Sequence, residues 1–200
     1  MSRNCSRSGT MDTPLRLTCL CILDSNGERI CAQYPTRAPP SLGPPCPYRD
    51  FDSQRKFEGL LHQGLMNIRG RTDAEALQVE GEVAVGLDVG DVSIFAVSPE
   101  SSANELLLLE VVEALRSVLS SICNGTVTRQ ALLENMDSVL LAMDETADQG
   151  LPPETNPSAI LARINMQGDG QGTQETTASL NQAISQAKDS IIKSLLSGAS

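Results

Sequence analysis

The feature that most constrains the fold is the order of two hydrophobic patterns along the chain. Short apolar segments bounded by turn residues, which are typical of strands, dominate the first hundred residues. Longer stretches with apolar residues every three or four positions, which are typical of helices, dominate the rest. Because most of the strands follow one another directly, the sequence predicts an antiparallel or mixed sheet rather than a doubly wound one.

A β-hairpin opens the strand region. Residues 15–23 partly alternate between the two sides of a strand, and residues 29–34 form the returning strand. Between them lies Asp24-Ser25-Asn26-Gly27, where Asn-Gly predicts a tight turn because both residues tolerate a positive φ angle. Three further strands are predicted at residues 76–79, 82–87 and 92–98, with turns at 80–81 and 88–91.

One helix separates the hairpin from the other strands. Asp52 or Ser53 is its predicted cap, and it ends near Ile68. Its apolar residues share one stripe, which predicts a single buried face. The stripe consists of Phe57, Leu60, Leu61, Leu65 and Ile68.

The other helices follow the last strand. Residues 104–123 have apolar side chains on most sides, so this helix is predicted to be deeply buried and to stop before Gly125. Thr128 caps a helix that ends at Gly150, and Asn156-Pro157 opens a short helix that ends near Ile164. The helix after Thr128 carries a predicted core stripe of Leu132, Met136, Val139, Leu140, Met143 and Ala147. A last amphipathic helix over residues 177–197 must pack on this chain or on a partner.

The predicted organisation is one domain with three additions. A disordered leader covers residues 1–14, the domain covers residues 15–150, and a C-terminal helical extension with a flexible link at 167–176 covers residues 151–200. Six of the eleven prolines lie in residues 35–50 and can neither donate to a sheet nor continue a helix. This stretch is interpreted as an extended insertion, with a polyproline II ligand segment as the alternative.

Composition narrows the possible functions. The chain has 25 acidic residues against 15 Lys plus Arg, a net charge of −10, a single His and no Trp. Clustered cations and stacking aromatics are both missing, which argues against nucleic-acid binding. The net charge is −5 for residues 51–100 and −6 for residues 101–150. These charges predict a solvated acidic surface or a docking surface for a basic partner, with no direct contact to an anionic membrane.

No stretch of the sequence predicts a membrane span or a signal peptide. Neither a run of 18 apolar residues nor an apolar segment within the first ten residues is present. The six cysteines are therefore interpreted as reduced cytosolic thiols rather than a disulfide framework.

Candidate catalytic and metal sites are incomplete. Cys19, Cys21 and Cys31 lack a fourth zinc ligand and are interpreted as small buried hydrophobes. The glycine-rich segment 168–172 lacks the Lys and Ser/Thr of a phosphate loop, and His62 is predicted to be an exposed surface residue. The carboxylates Asp144 and Glu145 fall on solvent-facing helix positions. No catalytic residue, metal site or cofactor is predicted.

Several segments resemble the zeta subunits of coatomer, members of the adaptor small-subunit and longin-like family. The most specific runs from Thr128 to Gly150 and contains Arg-Gln-Ala-Leu-Leu-Glu-Asn-Met, an apolar stretch, then Asp-Glu and a terminal Gly. The other similar segments are residues 21–30, 71–73, 104–109, 154–157 and 187–196. The resemblance covers residues 15–196.

The resemblance implies an α+β, longin-like fold, in which a five-stranded antiparallel sheet lies between helices, with extra C-terminal helices. It also implies a non-catalytic structural subunit of the COPI vesicle coat in Golgi-to-ER and intra-Golgi transport. The implied partners are the large gamma subunit, other coat subunits and, indirectly, an Arf-type GTPase. The implied location is cytoplasmic and peripheral on Golgi membranes and vesicles. The alternative is another longin-type trafficking module, either an adaptor sigma-like subunit or a SNARE or GTPase-regulatory protein.

The resemblance also directs attention to possible partner-binding residues. The predicted interface is an apolar helix face with sheet-edge residues, and its candidates are Leu60, Leu61, Leu65, Leu106 and Leu109. Adaptor sigma subunits bind dileucine signals near the start of the second helix, where this chain has Asn104, Leu106 and Leu109. Glu105 would repel an acidic dileucine signal there.

Overall fold

The described part of the chain contains five strands, five α-helices and a short 3-10 helix at Glu100–Ser102. The computed structural model of the protein describes residues 16–35, 47–68, 74–147 and 154–168. The strands are Cys19–Asp24 (β1), Arg29–Gln33 (β2), Ala74–Val79 (β3), Glu82–Val89 (β4) and Val92–Pro99 (β5). The helices are Phe51–Met66 (α1), Glu105–Ile122 (α2), Arg129–Glu134 (α3), Met136–Thr146 (α4) and Pro157–Gly168 (α5). The chain divides into two units, Met1–Leu161 and Ala162–Ser200, and the architecture below is that of the first.

The five strands form one sheet in the order β2-β1-β5-β4-β3, and every neighbouring pair is antiparallel. Cys21 of β1 lies opposite Phe95 of β5 on one side and opposite Ala32 of β2 on the other. The tight turn at Asn26-Gly27 is confirmed, since Gly27 has a φ of 78°. The Asp24 carboxylate accepts the backbone N–H of Asn26 and of Glu28, each at 2.9 Å, and this holds the turn. The antiparallel pairing of all neighbouring strands confirms the predicted antiparallel sheet.

Helices cover both faces of this sheet. The first seven residues of β5 are all buried, which requires packing on both faces of the central strand. On one face, Phe57, Leu61 and Leu65 of α1 form a core cluster with β-strand residues such as Phe95. On the other face, α2 packs against β4 and β5, and α4 packs against α2 and β2. The predicted α+β class, with an antiparallel sheet between helices, is confirmed.

Gly86 shows how closely the α1 face is packed. A Cβ atom at this position would lie 2.7 Å from Cε1 of Phe95 and 3.3 Å from Cδ2 of Leu65. The missing side chain leaves the space that the Phe95 ring occupies against β4.

Helix α1 begins earlier and ends earlier than predicted. Its cap is Asp50, not Asp52 or Ser53: the Asp50 carboxylate accepts the Ser53 N–H at 2.8 Å. The cap must have an extended backbone, and Asp50 has it, with φ −100° and ψ 153°. The helix ends at Met66 rather than near Ile68.

The predicted single helix from Thr128 to Gly150 is wrong, because the chain breaks at Asn135. Asn135 has φ −118° and ψ 29°, and its side-chain amide donates to the Ala131 carbonyl at 2.9 Å. A side chain that bonds to the backbone one turn earlier competes with the helical hydrogen bonds. Thr128 does cap α3, as predicted. Leu140 is 48% exposed, so its predicted place in the core is wrong.

Two further predictions about the helices need correction. Helix α2 is not covered on most sides, since it has an outer face of exposed residues that includes Glu105 and Leu106. Helix α5 begins at Pro157, as predicted, but continues to Gly168, so the first two residues of the predicted flexible link are helical.

Several predicted features lie outside the described residues. These are the leader, most of the proline-rich insertion, Gly150, residues 169–176 of the link and the last helix. The predicted domain boundary at residue 150 also stays a prediction, since residues 148–153 lie outside the described ranges.

Candidate partner-binding surface

Two of the leucines predicted to bind a partner lie in the core instead. The side chains of Leu61 and Leu65 are 0% and 1% exposed and belong to the cluster around Phe57 and Phe95. Their apolar surface is already buried against the sheet of this same chain. Both leucines lie on the apolar stripe of α1, and this stripe faces the core of the chain itself rather than a partner.

The other three candidates are accessible to different degrees. Leu106 is 74% exposed, Leu60 is 38% exposed and Leu109 is half-buried. Leu60 lies on α1 and Leu106 on α2, and these helices cover opposite faces of the sheet. The structure therefore does not bring the five candidates together into one patch. The side-chain oxygen of Asn104 caps α2 by accepting the Leu107 N–H at 3.2 Å.

The outer face of α2 borders a cleft that sequence reasoning missed. This α2 cleft has a volume of about 350 Å³ and lies between the middle of α2 and the segment that leads into α5. Its lining residues are Glu110, Glu113, Ala114, Ser117, Thr155 and Pro157. The sequence signal was available: Leu106, Glu110, Glu113 and Ser117 recur at spacings of four, three and four, so they share one helix face.

The charges of this face are almost all acidic. Glu110 forms no ion pair among the described residues, whereas Glu113 pairs with Arg116 at 2.5 Å across one helical turn. Glu105, in the first turn of α2, is also exposed. The α2 cleft therefore joins a small apolar floor to a negative rim.

The α1 side holds its charges differently. Glu58 is 1% exposed, and its carboxylate accepts hydrogen bonds from Nε of Arg29 and the hydroxyl of Tyr34, both at 2.9 Å. Arg29 also donates to Gln54 at 3.2 Å. Burial alone would lower the pKa of Arg29, but the hydrogen bond and negative charge of Glu58 outweigh it and raise the pKa above its ordinary value.

The buried position of Glu58 could have been read from the sequence. It precedes Leu61 by three residues and Leu65 by seven, so it lies on the core-facing stripe of α1. A carboxylate on such a stripe needs a buried cation, and Arg29 of β2 supplies it. This network ties the hairpin to α1.

The cysteines of the hairpin are buried. Cys19, Cys21 and Cys31 are buried and free, which confirms their interpretation as small buried hydrophobes. Cys31 pairs with Ile22 and so points to the opposite face of the sheet from Cys21, whose partner is Ala32. Burial raises the pKa of Cys31 to about 12. Among the described residues, no group of three or more potential ligands could hold a metal ion.

His62 is less accessible than predicted. Its side chain is half-buried, and its Nε2 atom is enclosed without a hydrogen-bond partner among the described residues. Gly27 explains the burial, because a Cβ at that position would lie 2.9 Å from Cγ of the imidazole. The hairpin turn thus rests on His62, and the prediction of an exposed histidine is wrong.

Comparisons with known proteins agree with this architecture. Residues 48–171 match the family model described as clathrin adaptor complex small chain. Mouse coatomer subunit zeta-2 is 32% identical over 175 residues, which cover 88% of this chain and 78% of that protein. Human coatomer subunit zeta-1 is 33% identical over 175 residues, which cover 88% of this chain and 90% of that protein.

The chain belongs to the coatomer zeta branch of the adaptor small-chain family. A rice relative, coatomer subunit zeta-3, is 28% identical over 177 residues, which cover 88% of this chain and 94% of that protein. A chain from a homology model of the full-length AP-3 complex has the same fold, with a TM-score of 0.52 at 14% identity, covering 82% of this chain and 98% of that one. Within the described residues, no helix combines the length and apolarity needed to cross a bilayer.

Proposed function

We propose that the chain is a non-catalytic structural subunit of the coatomer (COPI) coat, acting in Golgi-to-ER and intra-Golgi transport. The observation that carries the proposal is the identity of 33% with human coatomer subunit zeta-1 over 175 residues. The sheet between two helical layers is the framework that such a subunit would present to its neighbours in the coat.

The proposed partner is the large gamma subunit, and the proposed contacts are the exposed apolar side chains. Leu60, Leu106 and the half-buried Leu109 remain as candidates, because partner binding requires surface that the chain leaves uncovered. Leu61 and Leu65 are not carried forward, since they stabilise the fold itself. Because Leu60 and Leu106 lie on opposite sides of the sheet, a partner that covers both must reach around the domain.

The proposal that the chain is not an enzyme is supported by the state of its reactive groups. Burial holds the pKa of Cys31 near 12, and the Cys19 hydrogen bond and burial raise that of Cys21, so both thiols stay protonated at neutral pH. The Nε2 atom of His62 is enclosed. Recruitment to Golgi membranes is proposed to pass through the other coat subunits and, indirectly, an Arf-type GTPase.

Co-purification tests the proposed partner. The tagged full chain is co-expressed with a coatomer gamma subunit and, in parallel, with the large chain of a clathrin adaptor complex, and captured proteins are identified by mass. The proposal expects stoichiometric capture of gamma and none of the adaptor chain. Capture of the adaptor chain alone would support the alternative, a sigma-like adaptor subunit, and capture of neither would contradict the coat proposal.

A further inference from the structure

We propose that the outer edge of β3 pairs with an extended segment of the partner, so that the backbone of the partner continues the five-stranded sheet. This rests on the proposed function and adds to it the place and the manner in which the partner crosses the sheet. Three observations support the pairing: the unequal protection of the two sheet edges, the direction of the β3 backbone groups, and the position of this edge relative to Leu60.

The β2 edge of the sheet is protected against further pairing. Its ladder with β1 is interrupted by a bulge next to Arg29, whose side chain turns inward to the buried Glu58. The same strand packs against α4, where the Gln33 amide donates to the Asp144 carboxylate at 2.9 Å. Bulges, inward charges and covering helices are the means by which proteins keep an edge strand from pairing further. The β2 edge is therefore poorly suited to an added strand.

The β3 edge has none of these protections. β3 pairs with β4 without a register shift, from the pair Ala74–Leu87 to the pair Val79–Glu82. It contains no proline and no lysine, and Glu75 is its only charged residue. Within the described residues, no further strand lies beside it. A regular, nearly neutral edge of this kind is a template for the strand of another chain.

The backbone groups of Ala76 and Gln78 point outward along this edge. The turn 80–81 has two residues with φ angles of 53° and 80°, and the residues that flank such a turn, Val79 and Glu82, form a hydrogen-bonded pair. Hydrogen-bonded and non-hydrogen-bonded pairs alternate along an antiparallel ladder. The N–H and C=O groups of Ala76 and Gln78 are therefore turned away from β4.

The β3 edge also lies on the side of the sheet where α1 carries a proposed partner contact. A Cβ at Gly64 of α1 would lie 3.8 Å from Cδ1 of Leu77 and 3.9 Å from Cγ2 of Val79, so this side of the helix faces β3. Leu60 precedes Gly64 by four residues and lies on the same side of α1. Leu106 is carried by α2, which packs on the opposite face against β4 and β5. A partner that reaches both leucines passes around the sheet, and β3 is the open edge beside Leu60.

The proposed occupant is a partner segment with apolar side chains at alternate positions. The side chains of an added strand that point toward α1 would meet Leu77 and Leu60, and those on the other side would meet the exposed Ala76 and Gln78. A second copy of this chain is disfavoured as the occupant, because it would bring another net charge of −10 to the same edge.

Binding of purified coatomer gamma subunit to the full chain and to two variants of Gln78 tests the pairing. Gln78→Pro removes an outward N–H and places the proline ring where the added strand would lie, yet it spares the hydrogen bonds to β4. It is expected to weaken gamma binding by about tenfold or more. The matched control Gln78→Ala keeps the backbone N–H and is expected to change binding by less than about twofold. Urea denaturation checks that both variants are folded.

Hydrogen exchange of the wild type supplies a second measurement that needs no variant. In the free chain the outward amides of Ala76 and Gln78 should exchange fast, whereas those of Leu77 and Val79, which bond to β4, should exchange slowly. In the gamma complex the two outward amides should slow by about tenfold or more, as measured by residue-resolved mass spectrometry. This measurement decides the matter if the proline variant does not fold.

The expected result is a loss of binding in Gln78→Pro alone, with slowed exchange at Ala76 and Gln78. Unchanged binding by a folded proline variant, or fast exchange of both amides in the complex, would overturn the pairing and leave gamma as the partner. Failure of the wild type to bind gamma would contradict the proposed function and the pairing with it. A dimer of the chain alone in light scattering, abolished by Gln78→Pro, would overturn the assignment to a partner by placing a second copy on this edge.

Discussion

The two helical sides of the sheet treat charge in opposite ways. On the α1 side, Glu58 is buried and bonded to Arg29 and Tyr34, and the network holds the hairpin to the helix. On the outer face of α2, Glu110 is exposed and forms no ion pair among the described residues. A paired, buried charge is costly to remove and maintains the fold, whereas an exposed charge is free to meet a partner. The comparison separates residues that stabilise the domain from residues that can bind to something else.

The largest expected effect is a difference in stability between alanine variants of two leucines, one on each helical side of the sheet. Leu65→Ala removes a 1% exposed side chain from the α1 core and is expected to lower the free energy of unfolding by about 3 kcal/mol. Leu106→Ala, at a 74% exposed position, is expected to change it by less than about 0.5 kcal/mol. Urea denaturation of both variants measures the difference, and equal losses would show that the two sides are packed alike.

The next effect concerns the buried carboxylate. Glu58→Ala leaves the Arg29 guanidinium and the Tyr34 hydroxyl without their acceptor, and a loss of about 2–3 kcal/mol in unfolding free energy is expected. Glu58→Gln keeps the shape and one oxygen acceptor, so it should lose less. In the same denaturation assay, an alanine variant as stable as the wild type would mean that this network does not hold the hairpin to α1.

The smallest effect is a pH dependence on the α1 face. Burial raises the pKa of Glu82, and the Thr18 hydrogen bond at 2.7 Å and the charge of Arg16 only partly oppose this. Because the folded-state pKa lies above the ordinary value of 4.5, protonation favours the folded state, and this contribution is lost as the pH rises above 4.5. The stability of the wild type relative to Glu82→Gln should therefore fall between about pH 4 and about pH 7 in parallel denaturation curves. A relative stability that rises over this interval would contradict the assignment.

The sequence was sufficient wherever a local signal decided the structure. The Asn26-Gly27 turn and the Thr128 cap each depend on nearby residues, and they appear where predicted. The two strands that the turn joins are also present, although the first begins at Cys19 rather than at residue 15. The sheet order could not be read in this way, because the β1–β5 pairing joins residues far apart in the chain.

The errors share a physical origin in tertiary contacts. The stripe on α1 identifies the apolar face of the helix from the sequence. Contacts with the sheet then determine that Leu61 and Leu65 are covered while Leu60 is 38% exposed. His62 is half-buried because a glycine turn from another element rests on it. The α2 cleft needs Thr155 and Pro157 from beyond the next two helices, so no single stretch of sequence contains it.

Titration of the chain into purified coatomer gamma subunit tests the central claim, that this is a coat subunit which binds through uncovered apolar side chains. We predict a one-to-one complex, weakened about tenfold or more by Leu106→Glu. The matched control Leu133→Glu, which changes a leucine that is 47% exposed outside the proposed contacts, should bind as the wild type does. Absence of binding to gamma, or equal weakening by both substitutions, would contradict the account.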